Sequence, residues 1–195
     1  VVTLGVTGGL GAGKSTACQR FKENGAVIFD ADSVAKEILQ TTQDVQDRIT
    51  EEFGADVVKD GRVDTRKLAS QAFSNEENQS ILNNIVHPYV IEAFEKRREE
   101  LEKKVGLLVV DAPLIFESGF DSHLDHTLLI FASLKMRIAR ALRRGNLTRE
   151  EILRRMDLQM PEEDKRDLAS FVIENNGSIE ELNQEIDKLY QQLVG

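Results

Sequence analysis

An α/β fold built on a five-stranded parallel sheet is predicted by three observations on the sequence. Five short apolar segments, at residues 1–7, 26–30, 106–113, 126–132 and 171–175, punctuate a chain of 195 residues. The stretches between them space their apolar residues at helical intervals. A glycine-rich stretch, GGLGAGKST at residues 8–16, joins the first segment to a helix. Strands that alternate with helices give a parallel sheet covered on both faces.

Each element has a local reason. Val1–Thr7 is rich in β-branched residues and bounded by glycines, as a buried strand is. Lys14 to Asn24 has helical composition, with Gly25 placed to cap its C-terminus. AVIFD at 26–30 is the second strand. From Ala31 to about Arg98 the sequence shows no strand pattern: DSVAKEIL, DVQDRITEEF, DTRKLASQAF and the long run from Asn78 to Lys104 are all helical, divided by Gly54 and the KDGR turn at 59–62. GLLVVDAP and HTLLIFA supply the third and fourth strands. LKMRIARALRR is an amphipathic helix, and a second helix follows with Thr148 as its N-cap. FVIEN at 171–175 is the fifth strand, and Ser178 with Glu181 forms a capping box for the last helix, which runs to about Leu193. The chain is therefore expected to be one domain. Its core is residues 1–30, 105–135 and 168–195, with a helical lobe inserted over about 31–104 and an arginine-bearing lid over about 140–165.

Composition narrows the functional classes. The chain is 41% hydrophobic and 30% charged, ordinary for a soluble protein. No apolar run approaches the roughly 18–20 residues of a membrane span, and the opening VVTLGVT is too short for a signal peptide, so a cytoplasmic location is expected. A single cysteine, Cys18, excludes an internal disulfide and fits a small core residue. The net charge of −9 argues against nucleic-acid binding as the main role. That charge is uneven. Residues 134–160 hold eight basic and three acidic residues, a local charge of +5 against −14 for the rest. An arginine cluster on an acidic chain suits a small polyanion. Oligomeric state is left open.

Residues 8–15, GGLGAGKS, satisfy G-x-x-x-x-G-K-[ST] between an expected strand and an expected helix, which is the context the motif requires. Its glycines let backbone N–H groups converge on phosphate oxygens, and the following helix adds the positive end of its dipole. Lys14 would reach the β- and γ-phosphates, and the Ser15 hydroxyl would ligate Mg²⁺. Asp111 ends the strand LLVV, where a metal-side acid is often found; the alternative is a carboxylate facing solvent. The fold class is thus a P-loop, kinase-like one.

Among P-loop classes, a GTPase would carry an Asn-Lys-x-Asp guanine reader after a later strand, and none is present. A motor ATPase would need more chain than 195 residues. A kinase must neutralise charge on the moving phosphoryl group and exclude water, and a flap with Arg140, Arg144, Arg149 and Arg155 fits that need. A solvated basic face is the plainer reading of the same residues. On the acceptor side, DADSVAK at 30–36 sets two aspartates at the C-terminal end of the second strand. One of them can take the acceptor's proton, and either can serve as a helix N-cap.

The motifs TGGLGAGKST, VIFDADSVAKEIL, IVHPYV, VVDAPLIFESG, LQMPEEDKR and VIENNGSIEEL, in this order, resemble those of the dephospho-CoA kinase family over nearly the whole chain. That resemblance implies ATP and Mg²⁺ as cofactors and transfer of the γ-phosphate to the ribose 3′-hydroxyl of dephospho-CoA. It implies Asp32 as general base, Lys14 as phosphate clamp, and Arg140 as the flap arginine, with Arg144 beside it. Gly11, Ala12, Gly13, Lys14, Ser15 and Thr16 would hold the ATP phosphates, and the turn of Asn175, Asn176 and Gly177 would lie by adenine. His87, Leu114, Phe116 and Glu117 fall in segments the family uses around the acceptor. Ile81, Ile85, Val86, Tyr89 and Phe94 offer apolar surface for a pantetheine tail, or else pack the lobe. One departure is Ser170, where the family usually has an acid. The alternatives kept open are another P-loop kinase, of a nucleoside monophosphate or small metabolite, and a non-enzymatic nucleotide switch.

Overall fold

The structure is a computed structural model that describes residues 1–195. It divides into two compact units, one of residues 1–30 and 98–195, the other of residues 31–97. The first holds a five-stranded sheet of β1 (Val2–Thr7), β2 (Val27–Asp30), β5 (Leu107–Asp111), β6 (His126–Phe131) and β7 (Phe171–Glu174). Their order is β2-β5-β1-β6-β7, and every neighbouring pair is parallel. Covered strands should be apolar, and β5 is up to its last residue: Leu107 to Val110 are fully buried and Asp111 at its end is half-buried.

Helix α1 (Lys14–Glu23) and the terminal α9 (Ile179–Val194) pack together against one face of this sheet. Leu4, Val6, Leu107, Val109, Leu128 and Ile130 from the strands meet Ala17, Phe21, Leu182 and Ile186 from the helices. Each of these ten side chains is less than a tenth exposed, and burying one such side chain stabilises by about 1.5–3 kcal/mol for the larger types. Cys18 lies in this cluster. Burial, with the nearby Asp111 carboxylate adding to it, pushes its thiol pKa well up, so it acts as a packing residue. Buried hydroxyls on the strands are satisfied: Thr3 Oγ1 donates to Asp125 Oδ2 at 2.9 Å, and Thr7 Oγ1 donates to the Pro113 carbonyl at 3.0 Å.

The central strand decides where a ligand can sit. From β1 the chain passes through α1 to β2 on one side, while β6 and β7 lie on the other. A crevice forms at such a reversal, outside the carboxyl ends of the strands. That edge carries the glycine loop, Asp111 with its β2 neighbour Asp30, and Asn175 just after β7.

The second unit is built of α2 (Ala31–Thr41), α3 (Gln43–Phe53), α4 (Thr65–Ala72) and most of α5 (Glu76–Leu101). Val45, Ile49, Phe53, Leu68, Ile85 and Phe94 are buried. Of the five residues expected to offer apolar surface, Ile85, Val86 and Phe94 are buried, whereas Ile81 and Tyr89 keep partial exposure. The expectation of no strand here is corrected by an antiparallel hairpin of β3 (Val58–Lys59) and β4 (Arg62–Val63). Asp60 and Gly61, at φ 51° and 70°, make the turn. Two-residue strands carry no periodicity, and side chains supply their remaining partners: Gln40 pairs with the backbone of Val63 through two bonds of 3.0 and 3.1 Å. Gln46, only 3% exposed, donates to the carbonyls of Leu39 and Gly61, both at 3.0 Å.

In the first unit, β6 leads into α6 (Leu134–Arg144), which Gly145 closes at φ 73°. Helix α7 (Arg149–Asp157) has a complete capping box of Thr148 and Glu151, and α9 one of Ser178 and Glu181. A further helix that the sequence reading does not contain, α8 (Glu162–Leu168), stands between α7 and β7. At seven residues, with six of them charged, it offers no apolar stripe to read.

Candidate active site

The glycine loop leaves β1 at Gly8 and enters α1 at Lys14. Gly11 and Gly13 sit at φ 82° and 104°, in the left-handed region. A Cβ would also lack room: on Gly11 it would stand 2.2 Å from the Arg137 carbonyl oxygen, and on Gly13 2.2 Å from Asn175 Nδ2. Helix α1 has no side-chain cap and no acid in its first turn. Its leading N–H groups are therefore available to an anion, with the helix dipole behind them.

The loop is held from behind by side chains. Asn175, 7% exposed, donates from Nδ2 to the Ala12 carbonyl at 2.8 Å. Arg140 donates to the carbonyls of Asn175 at 2.9 Å and Ala12 at 3.5 Å. Arg137, 8% exposed, donates from Nε to the Ala132 carbonyl at 3.2 Å and comes up beneath Gly9. Sequence reasoning did not single out Arg137, because one arginine among eight basic residues has nothing to mark it as the buried one.

Around the loop the structure places the expected residues as follows. Lys14 Nζ forms an ion pair with the Asp111 carboxylate. Ser15 lies one residue further, exposed in the first turn of α1, and Thr16 is half-buried. Beside the loop a pocket of about 390 Å³ is lined by Gly11, Gly13, Thr16, Asn175 and Gly177, with Arg140, Arg143 and Arg144 on its wall. Apolar contact comes from Ile179 and Leu182. Polar loop, guanidinium wall and apolar patch suit a phosphate-bearing ligand with a flat ring. Arg149, Arg154 and Arg155 on α7 are exposed and do not line this pocket.

Leu114, Phe116 and Glu117 follow β5 in one turn, all three half-buried. The Glu117 carboxylate is engaged inward: Oε1 accepts from the Met160 N–H at 2.9 Å and lies 3.3 Å from Lys165 Nζ. Ser170 flanks β7 at the end opposite Asn175, and exchanges hydrogen bonds of 3.1 and 3.0 Å with Thr127. It is a full strand length from the pocket wall. In the second unit, Asp32 is exposed in the first turn of α2, two residues after Asp30, which directly precedes that helix. His87 is half-buried on α5, next to Pro88.

Ser15 and Asp111 offer a hydroxyl and a carboxylate, hard oxygen donors of the kind Mg²⁺ takes. No group of three or more His, Cys, Asp or Glu side chains is arranged to hold a metal ion without further ligands.

Comparison with known proteins places the chain in a family. The family model for dephospho-CoA kinase matches residues 2–181. A dephospho-CoA kinase of Salinibacter ruber is 39% identical over 197 residues, spanning 100% of this chain and 99% of that protein. Among solved structures, a Thermus thermophilus protein superposes with a TM-score of 0.84 at 34% identity, over 100% of this chain and 98% of its own. The dephospho-CoA kinase from Campylobacter jejuni gives 0.71 at 28% identity, over 98% and 96% of the two chains. With a family model over most of its length and a relative this similar end to end, the chain belongs to the dephospho-CoA kinase family.

Proposed function

We propose that the chain transfers the γ-phosphoryl group of ATP to the 3′-hydroxyl of the dephospho-CoA ribose. The observation that carries the reading is the glycine loop feeding an uncapped helix, with Lys14 and Asp111 paired beside it. Gly11 to Thr16 would hold the phosphates through backbone N–H groups, and Lys14 would shift from Asp111 to the β- and γ-oxygens. Ser15 and Asp111 would hold Mg²⁺, which when bound neutralises phosphate charge. Asn175 and Gly177 would bound the adenine. Two bonds already occupy Arg140, and a guanidinium has five donors, so the rest can meet the nucleotide, with Arg144 beside it.

In the transfer, the acceptor oxygen bonds to the γ-phosphorus as the β–γ bridging bond breaks and ADP leaves. The hydroxyl proton goes to Asp32, whose exposed carboxylate opens α2. His87, Leu114, Phe116 and Glu117 would surround the acceptor, the helical lobe of about 31–104 would bind it, and residues of about 140–165 would form a lid that excludes water. The domain is cytoplasmic in this reading, and no helix in it is long and apolar enough to cross a membrane.

The test is ADP release coupled to acceptor, with dephospho-CoA set against AMP, CMP and shikimate. Only dephospho-CoA should stimulate release. Preference for another acceptor makes the chain a different small-molecule kinase, and no stimulation by any of them makes it a nucleotide switch. Asp32→Asn should lower kcat by about 10²–10⁴-fold, the range for loss of a general base. A wild-type kcat in that variant removes Asp32 from the role.

A further inference from the structure

Behind the glycine loop, four charged side chains form a row, three of them buried and the fourth, Glu117, half-buried. Lys165 on α8 is completely buried, with Nζ 3.3 Å from Glu117 Oε1 and 3.6 Å from Glu162 Oε1. Glu162 is 8% exposed. Its Oε1 reaches within 2.9 Å of the point a Cβ on Gly9 would occupy, and Arg137 Nη1 within 2.3 Å of the same point. The row therefore runs from beneath Gly9 through Arg137, Glu162 and Lys165 to Glu117, in the turn after β5. Two cations and two carboxylates balance. Glu117 also accepts the Met160 N–H, so the segment leading into α8 is tied to that turn.

Such a row is a poor choice for stability alone. Buried ion pairs gain little over apolar packing, because each charge gives up its water. Here Glu117 Oε2, Glu162 Oε2 and Lys165 Nζ have no hydrogen-bond partner, so desolvation is incompletely offset. A buried charge does give directional, stiff attachment at each end, which apolar packing does not.

We infer that Lys165 is a positioning residue for phosphoryl transfer: it fixes the turn carrying Leu114, Phe116 and Glu117 to the underside of the phosphate loop at Gly9. The inference rests on the reading that this turn meets the acceptor. Misplacement of reacting groups by about 1 Å can cost 10²-fold in rate. Removing Lys165 should therefore lower kcat and raise the acceptor KM, while the KM for ATP moves less.

The test compares wild type with Lys165→Met, Lys165→Arg and the double variant Lys165→Met with Glu162→Gln, recording Tm, kcat and both KM values. Each ratio is taken to wild type on whichever acceptor the wild type phosphorylates, so failure of the dephospho-CoA reading leaves the comparison intact. Lys165→Met is expected to fold with a lowered Tm and a kcat reduced at least about tenfold. The double variant restores charge balance, with Arg137 and Glu117 remaining, and should regain Tm without regaining kcat. Lys165→Arg keeps the charge but not the length, and should show a reduced kcat near wild-type Tm; it carries the test if Lys165→Met does not fold. Wild-type kcat and acceptor KM in folded Lys165→Met, or in Lys165→Arg, overturn the inference. So does a double variant that recovers kcat together with Tm.

Discussion

Two lysines in the first unit are each paired with carboxylates, and they are opposite in every other respect. Lys14 stands at the open edge of the sheet, its side chain 19% exposed, with one partner, Asp111. Lys165 is sealed in the interior with two partners and no hydrogen bond of its own. Lys14 follows a loop whose every bend is made by backbone and glycine. Lys165 depends on residues 48 and three positions away from it in the chain. The difference separates a charge kept for a ligand from a charge kept for the protein. A partly hydrated pair at an edge can be exchanged for phosphate oxygens, whereas a dry pair cannot be opened without leaving a charge unpaired.

The largest effect should come from Lys14→Ala. Its charge is needed on the phosphoryl group as charge moves, and loss of one such preorganised donor costs 10²–10³-fold. With its additional work as phosphate clamp, kcat in the ADP-release assay should fall by at least about 10³-fold. The Tm should stay within about 2 °C of wild type, because the side chain is at the edge. A large Tm loss with retained kcat would reverse the contrast with Lys165.

Gly11→Ala comes next. It places a methyl group 2.2 Å from the Arg137 carbonyl at a residue with φ 82°, and the left-handed conformation alone costs about 1–2 kcal/mol. The KM for ATP should rise at least about tenfold and the Tm drop by about 4–8 °C. Unchanged ATP kinetics would mean that the loop's shape is not set by close approach to α6.

Asn175→Ala should act more gently, by releasing the loop from behind and removing part of the pocket wall. It leaves the Ala12 carbonyl with the single long contact from Arg140 at 3.5 Å. An underserved buried carbonyl costs about 1–3 kcal/mol. The expected result is a KM for ATP raised about 3–10-fold, with kcat within about twofold of wild type. A kcat loss larger than the KM change would assign Asn175 to the transition state rather than to holding the loop.

These contrasts also mark what the sequence made legible. All five sheet strands and the glycine loop were readable, since each is specified within a few residues: β-branched runs for β1 and β5, and glycines that a Cβ would exclude. Lys14 and Asp111 were each singled out, one for the phosphates and the other for the metal, but their pairing with one another was not, because it depends on β1 and β5 lying side by side. Lys165 and Glu162 were not readable, because PEEDKRDL looks like an exposed charged stretch and only the fold buries two of its charges. Asn175 was expected by the adenine; it lines the pocket, and its hold on the Ala12 carbonyl is an added contact that only the fold creates. The β3–β4 hairpin was read only as a turn, since its strands are too short for alternation to show.

The smallest expected effect concerns the far end of α1. Arg20 donates from Nε and Nη2 to the two carboxylate oxygens of Asp187 on α9, both at 2.7 Å, and Asn24 donates to the same carboxylate at 2.7 Å. Hydrogen bonds from Arg20, then from Asn24, hold the Asp187 pKa at about 2, below its ordinary 3.8. A depressed carboxylate pKa means that the folded state prefers the ionised form. Its contribution is therefore complete above about pH 4 and is lost as pH falls from there through about 2. The two side chains are 31% and 39% exposed, so water and salt screen the pair. Asp187→Asn should lower Tm by about 1–2 °C between pH 5 and 7, and the gap from wild type should close as pH falls toward 2. High salt should narrow the same gap at pH 7. A gap that is independent of both pH and salt would mean that the side chain acts by packing α9 on α1, and would place Asp187 with the interior charges rather than with the edge ones.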